Sequence, residues 1–160
     1  MRAFSPLSVG IFLNLFYVFF SGVVFSDSKI EEWPLHKAIE IGELERAKIL
    51  IARVGVNTQD YLGSTPLYKA VFHNHVEFVE YLFKYDVNVN LADNEGLSPL
   101  HVAALENFVD LAQTLEAKGA NIEAKDKYGY TPLHLAADQG SFKTAQQLIH
   151  SGANINSQSE

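Results

Sequence analysis

The chain has 160 residues, of which 48% are apolar, and its formal net charge is −7. This length allows one domain, and the apolar content is sufficient for a hydrophobic core. The acidic charge argues against nucleic-acid binding, because binding to phosphates requires a basic surface. The absence of cysteine excludes disulfides, thiolate zinc sites and cysteine nucleophiles, and it leaves the redox compartment undetermined.

The first 26 residues differ in composition from the rest of the chain. A positive start at Arg2 precedes an apolar run at residues 9–20, and Val24 and Ser26 are acceptable three and one residues before a cleavage point. This pattern favours a signal peptide at residues 1–26 and predicts an exported chain, secreted or periplasmic. Two alternatives remain. One is an uncleaved membrane anchor, because residues 9–25 reach the lower length limit of a spanning helix. The other is a buried soluble helix.

A sequence frame recurs from Trp33 onward with a period of about 33 residues. The frame Asp-x-x-Gly-x-Thr/Ser-Pro-Leu begins at Asp60, Asp93 and Asp126, and a worn copy, Trp-Pro-Leu-His, begins at Trp33. A fixed period of this length indicates a stack of repeated structural units. The fold must therefore be assigned from the repeat before any local motif is interpreted.

Each repeat is predicted to contain a tight turn and two helices. A turn glycine adopts a positive φ, a Thr or Ser caps the first helix just before its Pro, and a Gly or Asn separates the two helices. The turn glycines are Gly63, Gly96 and Gly129, and the caps are Thr65, Ser98 and Thr131. The breaks are Gly42, Asn74, Asn107 and Gly140, and the second helices are expected to end at Gly55, Asp86, Gly119 and Gly152.

On these motifs, residues 33–156 resemble the ankyrin-repeat family, and the match is most specific in the last copy. The resemblance implies an all-α solenoid of stacked antiparallel helix pairs joined by hairpin-like turns. It also implies four repeats, at residues 30–58, 59–91, 92–124 and 125–156.

The two end repeats depart from the inner ones, as is typical of repeats with one face in water. The first is degenerate and charged, and Trp33 stands where the capping Thr belongs. Trp33 is interpreted either as a lid over the end of the core or as a binding aromatic. In the last repeat, Thr144 and Gln147 replace the larger Phe78 and Tyr81. This replacement predicts that the stack ends there.

The six histidines are not assigned to a metal or catalytic site. His36, His101 and His134 lie in the repeat frame, where the imidazole is expected to hydrogen-bond to backbone between repeats. The pair His73 and His75 has no third ligand at a suitable spacing. The sequence contains no Ser–His–Asp nucleophile setting, no Gly-x-Gly-x-x-Gly motif and no phosphate loop. We therefore predict no metal, no cofactor and no enzymatic activity.

The family resemblance implies a protein–protein interaction module that binds through a concave face. Hairpin tips and the exposed sides of the first helices line this face. The residues predicted to contact a protein partner are Tyr61, Leu62, Ser64, Phe72, His73, Asn94, Glu95, Leu97, Leu105, Glu106, Lys127, Tyr128, Tyr130, Asp138 and Gln139. Aromatic residues favour interface cores, whereas isolated apolar residues on a surface are ordinary.

Two other functions remain open at this stage. The chain could be a membrane-tethered structural scaffold if residues 1–25 are kept as an anchor, which is the one case in which a membrane is a partner. It could also be an accessory or inhibitory subunit of an exported enzyme. The resemblance does not identify the partner.

Overall fold

The computed structural model of the protein describes residues 34–159, so the interpretations of residues 1–26 and of Trp33 lie outside the described residues. Within this range the chain forms eight α-helices and no β-strand, which confirms the all-α prediction. The helices are α1 (Pro34–Glu40), α2 (Leu44–Val54), α3 (Pro66–Phe72), α4 (Val76–Leu82), α5 (Pro99–Leu105), α6 (Val109–Ala117), α7 (Pro132–Gln139) and α8 (Phe142–His150). None of these eight helices is long and apolar enough to cross a membrane.

The eight helices form four pairs, each made of a first helix and a second helix. In every pair the two helices pack against each other. The first helices also pack in sequence, α1 on α3, α3 on α5 and α5 on α7. The result is a solenoid of helix pairs, in which each pair buries its apolar surface against its neighbours.

The first helices begin where the caps predict. The side chains of Thr65, Ser98 and Thr131 each accept a hydrogen bond from the backbone N–H three residues later, at 3.0, 3.4 and 3.4 Å. A Pro follows each cap at the first helical position. A backbone N–H there would have no acceptor within the helix, so its absence in Pro costs no hydrogen bond. A cap of this kind stabilises a helix by about 1 kcal/mol.

The breaks between first and second helices lie in the left-handed region of backbone space in all four pairs. The φ angles are 81° at Gly42, 54° at Asn74, 58° at Asn107 and 71° at Gly140. Asparagine tolerates this conformation better than most residues that have a Cβ. The predicted break positions are therefore confirmed.

Asp86 was expected to end the second helix of its repeat, and this prediction is wrong. Helix α4 ends at Leu82, and Asp86 is not among the described residues with positive φ. The chain instead leaves the helix through short turns, in which Lys84 N–H donates to Tyr81 O and Tyr85 N–H donates to Leu82 O, at 3.1 and 3.0 Å. Tight turns of this i→i+3 kind need no left-handed residue.

The core is built from apolar residues at equivalent positions of successive repeats. Leu35, Leu67 and Leu100, each directly after the helix-starting Pro, are at most 1% exposed. Leu82 of α4 and Leu148 of α8 are completely buried. Burying a leucine side chain contributes about 1.5–3 kcal/mol. These residues therefore carry much of the packing energy.

Thr144 and Gln147, whose polarity led to the prediction that the stack ends at this repeat, both bond to the preceding repeat, and among the described residues no helix follows α8. Thr144 is completely buried, and its backbone N–H and hydroxyl both donate to Asn107 Oδ1 at 3.2 Å. Gln147 hydrogen-bonds to Gln113 at 2.9 Å and to Glu116 at 3.3 Å. Both side chains contact the preceding repeat. Their polarity is explained by these bonds and says nothing about a following repeat.

Candidate protein-binding surface

Each of the three tips, residues 60–64, 93–97 and 126–130, is folded by the aspartate that begins it. Oδ1 of Asp60, Asp93 or Asp126 accepts the backbone N–H groups two and four residues later, at 2.8–2.9 Å. These two hydrogen bonds to one oxygen close the turn around a glycine with positive φ. The three carboxylates that begin the sequence frame therefore serve turn geometry.

The tips are joined to one another by backbone hydrogen bonds. Asn94 N–H donates to Leu62 O, and Lys127 N–H donates to Glu95 O, both at 3.0 Å. A Cβ on Gly96 would lie 2.9 Å from the Lys127 nitrogen, so this close approach requires glycine. The three tips therefore form one continuous row, whose backbone is held by these bonds without a partner.

Histidines connect the first helices to the following turns. The Nε2 atoms of His36, His101 and His134 lie 3.1, 3.0 and 2.8 Å from the backbone oxygens of Thr58, Tyr130 and Ser157. In His101, Nδ1 accepts the Ser98 N–H at 3.1 Å, so the proton of the neutral ring is on Nε2. Burial lowers the pKa of His101, which keeps the ring neutral. The predicted bonding to backbone is confirmed for all three histidines, and for His101 the acceptor lies in the next repeat.

Tyr68 takes the place of this histidine in the second repeat, and sequence analysis did not assign it a role. Its phenol hydrogen-bonds to the carboxylate of Asp93 in the next tip. Burial and the nearby Asp93 raise the pKa of Tyr68, so the phenol stays protonated. Aligning the copies would have shown that Tyr68 falls in the histidine column, although the acceptor could not have been inferred.

The predicted contact residues fall into three groups by exposure. Seven are exposed and available to a partner: Tyr61, Asn94, Glu106, Lys127, Tyr128, Asp138 and Gln139. Six are half-buried: Leu62, Phe72, His73, Glu95, Leu105 and Tyr130. The two that remain, Ser64 and Leu97, are only 2% and 7% exposed. They stand at the inner end of a tip, where the backbone N–H is bonded to the turn aspartate, so they offer a partner little surface.

Three tyrosines were expected to be free for binding, and the structure separates them. Tyr61 is 65% exposed and Tyr128 is 50% exposed. Tyr130 is half-buried, its ring lies edge-on to His134 at 5.8 Å, and its carbonyl accepts a hydrogen bond from His101. Tyr130 therefore contributes to the packing of the stack, whereas the exposed rings of Tyr61 and Tyr128 contribute little to its stability.

Lysines on this surface are paired with carboxylates. Lys37 pairs with Glu40 at 3.0 Å, and Lys69 pairs with Asp60 at 3.2 Å. Lys127 pairs with Glu95 of the preceding tip, and its Nζ also lies 5.2 Å from the centre of the Tyr128 ring. The Lys37 and Lys127 pairs are exposed and contribute little to stability, whereas the Lys69–Asp60 pair is largely buried. Their effect here is to hold side chains in place.

Glu40 belongs to the same surface and was missed by sequence analysis. Burial raises the pKa of the Tyr61 phenol, and the charges of Asp60 and Glu40 raise it further. Burial also lowers the pKa of His73, whereas the negative charge of Glu40 acts to raise it. Glu40 is thus near both predicted contact residues. Extending the repeat alignment into the degenerate first copy would have found it.

The structure contains little that could hold a metal ion. The rings of His73 and His75 are 5.8 Å apart, and His75 Nε2 lies 3.4 Å from the backbone oxygen of Glu40. Across residues 34–159, no group of three His, Asp or Glu side chains could hold a metal.

Comparison with known proteins identifies the repeat type. A family model described as Ankyrin repeats (3 copies) matches the chain at residues 14–93, 35–126 and 86–159. The matches overlap and together extend over most of the sequence, and the first begins inside the apolar run near the N-terminus. No match is found among curated proteins.

Proposed function

The chain belongs to the ankyrin-repeat family, whose members generally mediate protein–protein interaction, and from this premise we propose that it is an exported protein-binding module. Proteins of this family are typically binding modules without enzymatic activity, and we propose the same here. The surface we assign to the partner is called the binding face. It consists of the three tips, the four first helices and the residue that follows each of those helices.

The observation that carries this proposal is the ordered row of tips, from which Tyr61 and Tyr128 project into solvent. Backbone hydrogen bonds between tips fix the row in advance, so a partner does not have to order it. Preorganisation of this kind reduces the entropy that association loses. Exposed tyrosines combine a large contact area with a hydrogen-bonding hydroxyl. A rigid row with aromatic residues at its free positions fits a protein ligand.

The proposal is tested by affinity capture from the compartment in which the chain is found. Three baits are compared: the parent chain, the double variant Tyr61→Ala/Tyr128→Ala, and Ile149→Ala. Ile149 is 49% exposed on α8, outside the binding face, and serves as the matched control. We expect one partner to be retained by the parent and by Ile149→Ala and lost from the double variant. A partner that the double variant retains equally well would place binding elsewhere.

We also propose that residues 1–26 direct export and are removed. The support is the positive start at Arg2, the apolar run at residues 9–20 and the cleavage pattern that ends at Ser26. The protein isolated from its source should then begin at or near Asp27. N-terminal sequencing and intact mass measure this directly. An intact Met1 or Arg2 in a membrane fraction would support a membrane-tethered scaffold instead.

A further inference from the structure

Negative charge is concentrated on the binding face. Its residues include seven carboxylates and three lysines, whereas the rest of residues 34–159 carries eight carboxylates and seven basic side chains. The part of the chain outside the binding face is therefore close to neutral. Asp60 and Asp126 are buried in their tips, and the other carboxylates give the face an acidic surface, which attracts a basic partner and steers its approach.

The three lysines of the binding face do not offset this charge at its centre. Lys37 is paired with Glu40, Lys69 with Asp60 and Lys127 with Glu95. Each lysine is thus held by a carboxylate of its own or the neighbouring repeat. None of the three is available to the carboxylate of Glu106.

Glu106 follows α5 in the third repeat and lies on the exposed side of the binding face. Its backbone N–H donates to Val102 O at 3.0 Å. Among the described residues its carboxylate has no ion pair or hydrogen bond. Although Glu106 is exposed, partial desolvation of its carboxylate raises its pKa, and no cation of the described residues compensates for this. A cation supplied by a partner would relieve this penalty.

Aromatic and apolar side chains lie on the same part of the binding face as this carboxylate. The rings of Tyr68 and Phe72 are parallel to within 8°, with centroids 6.4 Å apart. The charge of Glu106 contributes to the raised pKa of Tyr68, so the two residues are near each other. Phe72 and Leu105, which occupy equivalent positions of α3 and α5, are both half-buried. Together these residues offer an apolar shelf next to a negative charge.

We propose that the binding face takes a protein segment in which an arginine or lysine stands beside an apolar or aromatic residue. The cation pairs with Glu106, and its aliphatic stem or guanidinium plane lies on the shelf of Tyr68, Phe72 and Leu105. The neighbouring apolar residue covers the rest of the shelf. This inference rests on the proposed function and defines the chemistry of its partner.

The test uses a library of random peptides displayed on phage and selected on the immobilised full chain. We expect enrichment of peptides that carry Arg or Lys next to an apolar or aromatic residue. The Kd of a selected synthetic peptide is then measured against the parent, Glu106→Gln and Glu77→Gln. Glu77 is an exposed glutamate of α4, outside the binding face, and is the matched control. Glu106→Gln should weaken binding about tenfold, as expected for one charge-assisted hydrogen bond, and Glu77→Gln less than about twofold.

Loss of folding is separated from loss of binding by melting curves. Glutamine is the neutral isostere of a carboxylate that has no partner, so Glu106→Gln should melt like the parent. The enriched peptides could lack basic residues and still need Tyr61 and Tyr128 for binding. This result would contradict the inference of a basic partner and leave the proposed function intact. If peptide affinity depends on neither tyrosine, or if the selection enriches no peptide, the assignment of the binding face is contradicted. This inference is then contradicted with it.

Discussion

At the scale of single residues, His101 links the cap of α5 to the tip of the next repeat through both ring nitrogens. Its Nδ1 accepts the Ser98 N–H at 3.1 Å, and its Nε2 donates to Tyr130 O at 3.0 Å. Protonation of Nδ1 removes the acceptor of the Ser98 N–H, which is one of the two hydrogen bonds of this capping box. Burial lowers the pKa of His101, and it also lowers the pKa of His36 in the first repeat.

These shifts predict that the fold weakens in mild acid. The folded pKa lies below the unfolded value of about 6.5, so the unfolded chain binds more protons as the pH falls. The contribution of these two histidines to stability is therefore fully present above about pH 7 and decreases from about pH 6.5 downward. Urea unfolding at pH 7.5 and pH 5.5 measures the effect. His101→Gln should be less stable at pH 7.5 and should lose less stability on acidification. If His101→Gln loses as much stability as the parent between pH 7.5 and pH 5.5, the role of His101 is refuted.

Gly129 is the second residue for which a substitution has a definite expected outcome. Its φ is 77°, a conformation that a β-branched side chain strongly disfavours. Gly129→Val should destabilise the chain by about 1–3 kcal/mol through backbone strain. Thr131→Ala, which removes the neighbouring cap, should cost about 1 kcal/mol. Denaturant unfolding gives both values, and a Gly129→Val variant as stable as the parent would contradict the required turn geometry.

At the scale of elements, neighbouring repeats are bonded along a second line besides the tips. Asn57 Oδ1 accepts the Asn88 N–H at 2.8 Å, and Asn90 Oδ1 accepts the Asn121 N–H at 2.7 Å. Between the third and fourth repeats the equivalent acceptor is the side chain of Glu123, which accepts the Asn154 N–H at 2.7 Å. Each of these bonds reaches only the adjacent repeat. Coupling between repeats is therefore local and sequential.

Local coupling predicts that damage stays near its origin. Gly129→Val disturbs the tip that leads into α7, so α7 and α8 should lose hydrogen-exchange protection before α3 and α4 do. The comparison is made residue by residue with the parent under native conditions. A uniform loss of protection in all four helix pairs would show that the stack unfolds as one cooperative unit.

At the scale of the whole molecule, binding and stability should depend on different residues. Tyr61→Ala or Tyr128→Ala should each weaken binding by about 2 kcal/mol, roughly thirtyfold, if they are hot-spot residues. Their stability should change by only about 0.5 kcal/mol, because both rings are exposed. Titration of the captured partner, with melting curves alongside, measures both quantities.

The matched comparison is Leu82→Ala and Leu148→Ala in the core. Each should lower the free energy of unfolding by about 2–5 kcal/mol, because it leaves a cavity, and should affect binding only through folding. Tyr130→Ala is expected to reduce both, since its ring packs on His134. If both exposed tyrosine variants bind like the parent while folded, the binding face is wrong and the search moves to the charged first repeat.

The sequence by itself determined the features that depend on short stretches of chain. Turn glycines such as Gly129, caps such as Thr131 and breaks such as Asn107 follow from the φ angle or hydrogen bond that a few adjacent residues require. Their spacing of about 33 residues was enough to define the repeat. The backbone bonding of the frame histidines followed from the same period, because every copy faces the same environment.

Only the tertiary structure decided which neighbour each side chain meets. Ser64 and Leu97 are buried at the inner ends of their tips, and Thr144 faces the preceding repeat. The bond from Tyr68 to Asp93 and the unpaired state of Glu106 likewise depend on residues about one repeat away. A period tells which positions are equivalent, but it does not tell which way each side chain points. That direction is set by how one helix pair packs against the next, and packing is a property of the stack.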